Sequence, residues 1–173
     1  LNRQLRTTNQ YTRADISTSD QYLSMPSDFL EMRHLRMTSP KERDLVEIAA
    51  HQINEYTDTD FVSSFSDSHP RFFVYGQSLR IIPTPSELIT YEMFYYSTIP
   101  PLGSVNASNW VSTNHPDAYL YYSLLQAAPY LGEDERINIF EANATRSVQE
   151  IQASDDRRRN KGSRHSLNFQ AMS

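Results

Sequence analysis

The segment 79–136 constrains the fold of this chain more than any other part of it. It contains an alternating strand, and a pair of prolines, Pro100 and Pro101, stops that strand. A short loop with the single tryptophan, Trp110, follows, and a helix then opens at Pro116. This order predicts a sheet followed by a pair of helices, rich in tyrosine and suited to being packed by neighbours.

The composition excludes several classes of protein. The chain contains no cysteine, so disulfides and thiolate metal sites are excluded. Only four glycines are present, and neither GxxxxGK nor GxGxxG occurs, so no glycine-rich phosphate loop is expected. No apolar run approaches the roughly 20 residues of a membrane span. The polar, basic first residues are unlike a signal peptide. A length of 173 residues suits one domain with a hydrophobic core.

Charge is divided unevenly along the chain. The formal net charge is −5, yet both ends are basic. Residues 14–156 hold all 21 acidic residues and eight of the 16 basic ones, which gives this span a net charge of −13. A DNA-binding domain would show a basic face instead. An acidic body with basic ends suits a particle whose basic tail docks on an acidic partner.

The first part of the chain predicts an antiparallel β-meander. The expected strands are 28–37, 71–75, 79–83 and 88–98. Gly76-Gln77-Ser78 is a connection of hairpin length between the second and third of them. Neither side of the strand at 28–37 is cleanly apolar, which indicates an edge strand or a ribbon. Residues 1–20 are interpreted as a helix end and a polar loop, so that Leu1 is expected to be an internal residue of a longer product.

Three helices are predicted, at 44–56, 116–131 and 133–159. The first is short and amphipathic. The second has Asn114 as its candidate N-cap, and Pro129 is placed to bend or end it. The third has an apolar stripe, which consists of Ile137, Phe140, Ala144, Val148 and Ile151.

The expected fold class is α+β, a helical hairpin or bundle with an antiparallel β-meander and an extended C-terminal tail. We expect a single domain over residues 1–159. Its β-rich part lies at about 22–98 and its helical part at about 110–159, and the extended basic tail follows at 160–173.

Catalytic and metal-binding signatures are absent from the sequence. The five histidines show no HxH, HxxxH or HExxH spacing. No GxSxG motif occurs, and no cysteine nucleophile exists. Adjacent carboxylates such as Asp155 and Asp156 are better explained as a solvated helix end than as a general acid–base pair. The sequence therefore predicts no enzyme activity, no cofactor and no metal.

Aromatic residues are in notable excess, with 11 Tyr, 8 Phe and 1 Trp. Tyrosines point in at least two directions around the helix at 116–131, so this helix is expected either deep in a core or between subunits. Tyr and Trp are enriched at protein interfaces. The candidate subunit-interface residues are Trp110, Tyr119, Tyr121, Tyr122 and Tyr130.

The basic C-terminal segment has two interpretations. Cations at a helix C-terminus stabilise the helix dipole and solvate the end. The segment also keeps isolated apolar residues, which is typical of a tail that becomes ordered on a partner. The candidate partner-docking residues are Arg157, Arg158, Arg159, Lys161, Arg164, Leu167 and Phe169.

Many short motifs follow one another in a fixed order between Leu23 and Arg159. They are LSMPSDFLEMR at 23–33, FVYG at 73–76, LRIIP at 79–83, YY at 95–96, IPPL at 99–102, NW at 109–110, HPDAYLY at 115–121, AAPYL at 127–131, DER at 134–136 and DDRR at 155–158. This order resembles the head-to-tail adaptor, or connector, proteins of short-tailed bacteriophages, of the SU10-like adaptor family. The family pattern usually opens with helices ahead of the Leu1 segment, and the tail after Asn160 departs from the pattern.

The resemblance implies a non-enzymatic structural protein of the virion, assembled in the host cytoplasm. It implies a homo-oligomeric ring, about twelve copies in closed symmetry, between the portal protein and the tail nozzle protein. DNA would pass through the lumen without specific binding, and an acidic body agrees, because each neutralised phosphate adds affinity. Two alternatives remain open. One is another tail component, such as a tube or baseplate protein, and the other is a tail-associated glycan hydrolase that uses Glu92 or Asp117.

Overall fold

The computed structural model describes residues 1–39, 41–55, 70–131 and 136–161. The chain divides into two compact units. One unit is Tyr11–Thr98, and the other combines Leu1–Gln10 with Ile99–Ser173. The described strands all lie in the first unit and the described α-helices in the second. The predicted mixture of antiparallel strands and helices is confirmed.

The β unit contains two sheets. Its strands are β1 Tyr11–Thr18, β2 Tyr22–Ser24, β3 Phe29–Ser39, β4 Arg43–Asp44, β5 Val46–Glu47, β6 Arg71–Tyr75, β7 Ser78–Ile82 and β8 Ile89–Ser97. One sheet has the strand order β1-β8-β3-β4 and the other the order β2-β7-β6-β5. The described pairings are antiparallel except the short one between β5 and β6.

Side chains of both sheets form one hydrophobic core. On β8 the alternation of the sequence places Ile89, Tyr91, Met93 and Tyr95 in this core. β3 contributes Leu35 and Met37, and the second sheet contributes Leu79 and Ile81 from β7. Fully buried side chains of this size each stabilise the unit by about 1.5–3 kcal/mol, so these strands hold the two sheets together.

The meander prediction is right for one hairpin and wrong for the third strand. β6 and β7 form an antiparallel hairpin, and the two residues Gly76 and Gln77 connect them. Gly76 has a φ of 58°, a value that favours glycine. β8 does not continue this sheet, because β1 and β3 pair with its two edges in the other sheet. Alternation identifies a strand, but it does not identify the strand's neighbours.

The prediction of an edge strand at 28–37 agrees with the pairing of most of β3, because β8 lies along one side of it and β4 pairs only with Arg36 and Met37 on the other. Register shifts between Phe29 and Glu31 and between Met32 and His34 explain why its alternation is unclear. The polar segment at 1–20 contains β1, whose eight residues all pair with β8. The prediction of a helix end and a polar loop at 1–20 is therefore wrong. In β1 exposed residues alternate with half-buried ones, which is a strand pattern that needs little apolar content.

The amphipathic helix predicted at 44–56 is also wrong. This segment contains β4, β5 and a 3₁₀ helix, Ala50–Glu55. β4 pairs with the first sheet and β5 with the second, and Leu45 lies buried between them. The apolar spacing matches a helix by coincidence, because pairing with sheet edges satisfies the backbone here.

The helical unit contains α1 Trp110–Asn114, α2 Pro116–Leu131 and α3 Ile137–Asn160. The bounds of α2 agree with the prediction, and Pro129 lies inside the helix without ending it. Asn114 is the last residue of α1 and does not precede α2 directly, so its predicted role as N-cap is wrong. The start predicted for α3 lies outside the described residues, and the rest of the helix is confirmed. None of the described helices is long and apolar enough to cross a membrane.

The core of the helical unit joins its helices to the first ten residues. The buried members of this core are Leu5, Ile99, Val111, Ala118, Val148 and Ile151. Three residues of the predicted α3 stripe, Ala144, Val148 and Ile151, are buried, which confirms the stripe. Asn2 accepts a hydrogen bond from the Ile99 amide at 2.7 Å, so polar contacts also fix the N-terminal segment.

The buried hydroxyl of Tyr91 makes a contribution to the stability of the β core that a substitution can measure. Its side chain is fully buried, and its hydroxyl has no hydrogen-bond partner among the described residues. We expect Tyr91→Phe to leave the unfolding free energy unchanged or to raise it by about 1 kcal/mol, because a buried unpaired hydroxyl is removed. Tyr95→Phe is the matched control, since Tyr95 donates a hydrogen bond to Asp28 at 3.0 Å and its loss should cost about 1 kcal/mol. Urea unfolding measures both, and the opposite order would contradict the assignment.

The same tyrosines predict a loss of stability at alkaline pH. Burial raises the pKa of Tyr91, and burial together with the bond to Asp28 raises the pKa of Tyr95 to about 12. An unfolded tyrosine has a pKa of 10.0. The stability that the two protonated tyrosines contribute to the folded state is therefore complete below pH 10, and it is lost as the pH rises towards 12. Unfolding free energies measured from pH 9 to 12 should fall less steeply in the double variant Y91F/Y95F than in the unchanged protein.

Candidate interaction surfaces

Helix α2 presents an uncharged face to solvent. Asp117 is its only charged residue in 16 positions, yet among its described side chains only Ala118 and Ala128 are buried. The exposed side chains of α2 are Pro116, Leu120, Ser123, Gln126, Pro129 and Tyr130. One side of the helix follows a spacing of four, three, four and three, and it consists of Pro116, Leu120, Ser123, the half-buried Ala127 and Tyr130. We call these five residues the α2 outer face.

The α2 outer face has the geometry of a helix–helix contact. Its spacing is that of a coiled-coil seam, in which side chains of one helix insert between those of another. Leu120 is 55 % exposed and Tyr130 is 91 % exposed. The solvent face of a helix in a monomeric protein is normally charged or polar. A continuous uncharged face is therefore typical of a surface that another chain covers.

The five predicted subunit-interface residues differ in how far their side chains are buried. Trp110, Tyr119 and Tyr122 are half-buried and pack against the core of the helical unit in the same chain. Tyr121 is half-buried, and Tyr130 is exposed on the α2 outer face. Intersubunit contact stays a prediction for all five, and Tyr130 is the member whose exposure favours it most.

Asn109 organises the loop before α1, a role that the sequence analysis missed. Its side chain accepts a hydrogen bond from the Ser112 amide, and the Ser112 hydroxyl accepts one from the Asn109 amide, both at 2.9 Å. The side-chain nitrogen Nδ2 of Asn109 also donates hydrogen bonds to the Pro100 carbonyl and to the Tyr119 hydroxyl. An asparagine three residues before a serine is a capping-box pattern, which is the signal that could have found it.

The loop of residues 100–108 is a second uncharged surface. Every residue in it is exposed, and none is charged. The Gly103 amide donates to the Asn106 carbonyl at 2.9 Å, so the loop turns on a hydrogen bond. Val105 lies at this turn and is 92 % exposed. An apolar tip on a turn of this kind is typical of a contact loop.

Asp155 fixes the N-terminal segment to α3. The side chain of Asp155 is buried and accepts hydrogen bonds from the amide and the hydroxyl of Thr8, the amide at 2.7 Å. Thr8 begins the 3₁₀ helix Thr8–Gln10 that leads into β1, so Asp155 caps this helix from a distant part of the sequence. Arg159 pairs with the other carboxylate oxygen at 2.7 Å.

The basic end of α3 has contacts within the chain. Arg158 donates to the Asn9 side chain at 2.9 Å, and Arg159 donates to the Arg6 carbonyl at 2.8 Å. Residues 157–160 belong to α3, so the candidate docking residues Arg157, Arg158 and Arg159 lie on the helix. Arg157 and Lys161 are exposed there. Arg164, Leu167 and Phe169 lie outside the described residues.

The two carboxylates considered for hydrolysis lie in different environments. Glu92 is buried on β8, and its two carboxylate oxygens contact different arginines, Arg13 at 2.8 Å and Arg36. Asp117 lies in the first turn of α2, in the other unit. Glu92 is thus a cross-strand ion-pairing residue of its sheet. Among the described residues no group of His, Asp and Glu side chains could hold a metal ion.

The chain thus combines a two-sheet unit with a helical unit whose helix α2 has an uncharged outer face. The chain matches the model of the SU10 adaptor protein family over residues 1–166 and belongs to that family. It is a structural adaptor protein of phage virions. The match also covers residues 1–22 and 160–166, which the motif comparison had left outside the resemblance. No curated protein matches the chain.

The buried position of Asp155 predicts a difference between two adjacent acids. We expect Asp155→Ala to lower the unfolding free energy by about 2 kcal/mol, because the Thr8 amide and hydroxyl lose a charged acceptor. Asp156→Ala is the matched control, since Asp156 is exposed in the same helical turn and should change stability by less than about 0.5 kcal/mol. Urea unfolding of both variants measures this, and equal effects would contradict the capping role.

Proposed function

We propose that this chain forms a closed ring, of about twelve copies, between the portal and the tail nozzle of the virion. Family membership supports the adaptor role, and the α2 outer face supports self-assembly. The observation that carries the proposal is the inverted pattern of α2, which buries alanines and exposes Leu120 and Tyr130.

A ring requires a head-to-tail interface, in which one surface of a copy contacts a different surface of the next copy. We assign the first of these surfaces to the α2 outer face. Burying its leucine and tyrosine in a neighbour removes apolar area from water at about 25 cal/mol per Å². Repeated around the ring, the same contact supplies stability that a single exposed helix face lacks.

The charge of the chain fits passage of DNA through the lumen. Residues 14–156 carry a net charge of −13, and DNA affinity rises with each phosphate that a protein neutralises. An acidic body therefore repels the phosphate backbone and lets DNA slide. Two alternatives, a tube or baseplate protein and a glycan hydrolase, have no specific observation in their favour.

Docking of the basic C-terminal residues on the portal stays a prediction from the division of charge. Arg157 and Lys161 are exposed at the end of α3, where the tail continues. An exposed ion pair contributes only about 0–1 kcal/mol, so no single basic residue should be decisive. Many copies on one ring would act together by avidity. Deleting residues 160–173, which removes Lys161, should therefore weaken portal binding and leave the remaining binding strongly dependent on salt.

Mass measurement of the purified protein tests the ring. A closed ring of 20.0 kDa chains in about twelve copies would weigh about 240 kDa in analytical ultracentrifugation or mass photometry. We expect Leu120→Asp and Tyr130→Asp to shift the protein towards monomer while circular dichroism stays unchanged, because each variant places a charge in an apolar seam.

Leu88→Asp is the matched control for these variants. Leu88 is 69 % exposed and lies in the other unit, so the same charge at an equally exposed leucine should leave the ring intact. Rings formed equally by Leu120→Asp, Tyr130→Asp and the unchanged protein would contradict the assignment of the interface. Long open tubes in place of closed rings would favour a tail-tube protein.

A further inference from the structure

Strand β1 has a long edge on which another strand can pair. It lies at the end of its sheet, and over residues 13–18 the only described strand beside it is β8. The strands β2, β4 and β5 at the other sheet margins have only two or three residues each, and β4 pairs with only Arg36 and Met37 of β3. β1 contains no proline and no lysine, and its two charged residues, Arg13 and Asp15, pair with each other.

The two sides of β1 differ in chemistry. Ala14 and Ile16 point towards the β core but are only partly buried against it. Arg13 and Asp15 are exposed on the opposite side and pair with each other at 2.8 Å. A strand added at this edge would therefore need apolar residues on one side and polar residues on the other.

The C-terminal tail has the sequence that such a strand requires. Leu167, Phe169 and Ala171 alternate with Ser166, Asn168 and Gln170, a period of two that predicts a strand. Arg164 shares the polar side of this alternation. The tail also has the necessary length. Residues 162–173 can span about 40 Å at about 3.3 Å per residue, whereas β1 spans about 27 Å.

We infer that the tail of one copy adds as an extra strand to the edge of β1, over residues 13–18, in a neighbouring copy of the ring. Leu167 and Phe169 then cover Ala14 and Ile16, and Arg164 lies on the side of Asp15. The neighbour in this inference rests on the proposed ring. The inference assigns the apolar residues of the tail to the adaptor itself and leaves Arg157 and Lys161 for the portal.

Hydrogen exchange at β1 tests the acceptor edge without requiring a ring. A synthetic peptide of residues 162–173 is added to protein that lacks those residues. We expect exchange of the outward amides within 14–18 to slow by about tenfold or more, because they gain hydrogen bonds. The peptide with Phe169→Asp should give no protection, and the peptide with Asn168→Ser, changed on the polar side, should protect fully. No change at β1 with the unmodified peptide, or equal protection by the Phe169→Asp peptide, would overturn the inference.

Disulfide trapping tests whether the tail of one copy reaches a second copy. The chain has no cysteine of its own, so only the introduced cysteines can form disulfides. A Ser17→Cys protein is mixed with proteins that carry one cysteine at Ser166, Asn168 or Gln170. Disulfide-linked dimers in at least one mixture are expected. A disulfide that forms only within single chains of the double variant would overturn the assignment to a neighbour. So would tail peptide that binds purified portal and leaves β1 unprotected.

The two proposals fail in different ways. Rings of the expected mass without any cross-link and without protection at β1 contradict the strand addition alone. Protection at β1 by the peptide in a protein that stays monomeric at all concentrations contradicts the ring, and with it the neighbouring copy as the tail's acceptor.

Discussion

Apolar side chains in water raise the free energy of a protein, and α2 keeps two large ones, Leu120 and Tyr130, in water on its outer face. The helix places Ala118 in the core of the helical unit, beside Val148 and Ile151. Small residues on the inner side let α2 approach its neighbours closely, and they leave Leu120 and Tyr130 outside. A single chain has nothing described to cover them. In the proposed ring, another copy covers the side of α2 that carries Leu120 and Tyr130.

The rest of the structure fixes this helix in place. Asn109 ties the loop before α1 to Pro100 and to Tyr119 of α2. Asp155 of α3 accepts a hydrogen bond from the Thr8 amide, so the first residues of the chain are part of the helical unit. These buried polar contacts are directional, and each loses its value when its partner moves. They therefore hold the α2 outer face in one orientation, which a repeated contact between copies requires.

The sequence predicts the local elements of this protein better than their partners. The bounds of α2 follow from Pro116 and the apolar residues after it, and β3, β6, β7 and β8 follow from alternation and from Gly76. The helix expected at 44–56 fails because pairing with two sheets decides that backbone, and a single sequence carries no record of such pairing. Asp155 was interpreted as a solvated residue, since its contact with Thr8 spans most of the chain. The exposure of Leu120 depends on which side of α2 is buried, and periodicity alone leaves that side open.

An electron cryo-microscopy reconstruction of the assembled ring tests the central claim most directly. The quantity to measure is the exposed fraction of Leu120 and Tyr130 in one copy surrounded by its neighbours. The account predicts that both side chains are buried against an adjacent copy, as residues at the centre of an interface are. A ring in which Tyr130 remains as exposed as in the single chain, where its exposed fraction is 91 %, would contradict the account.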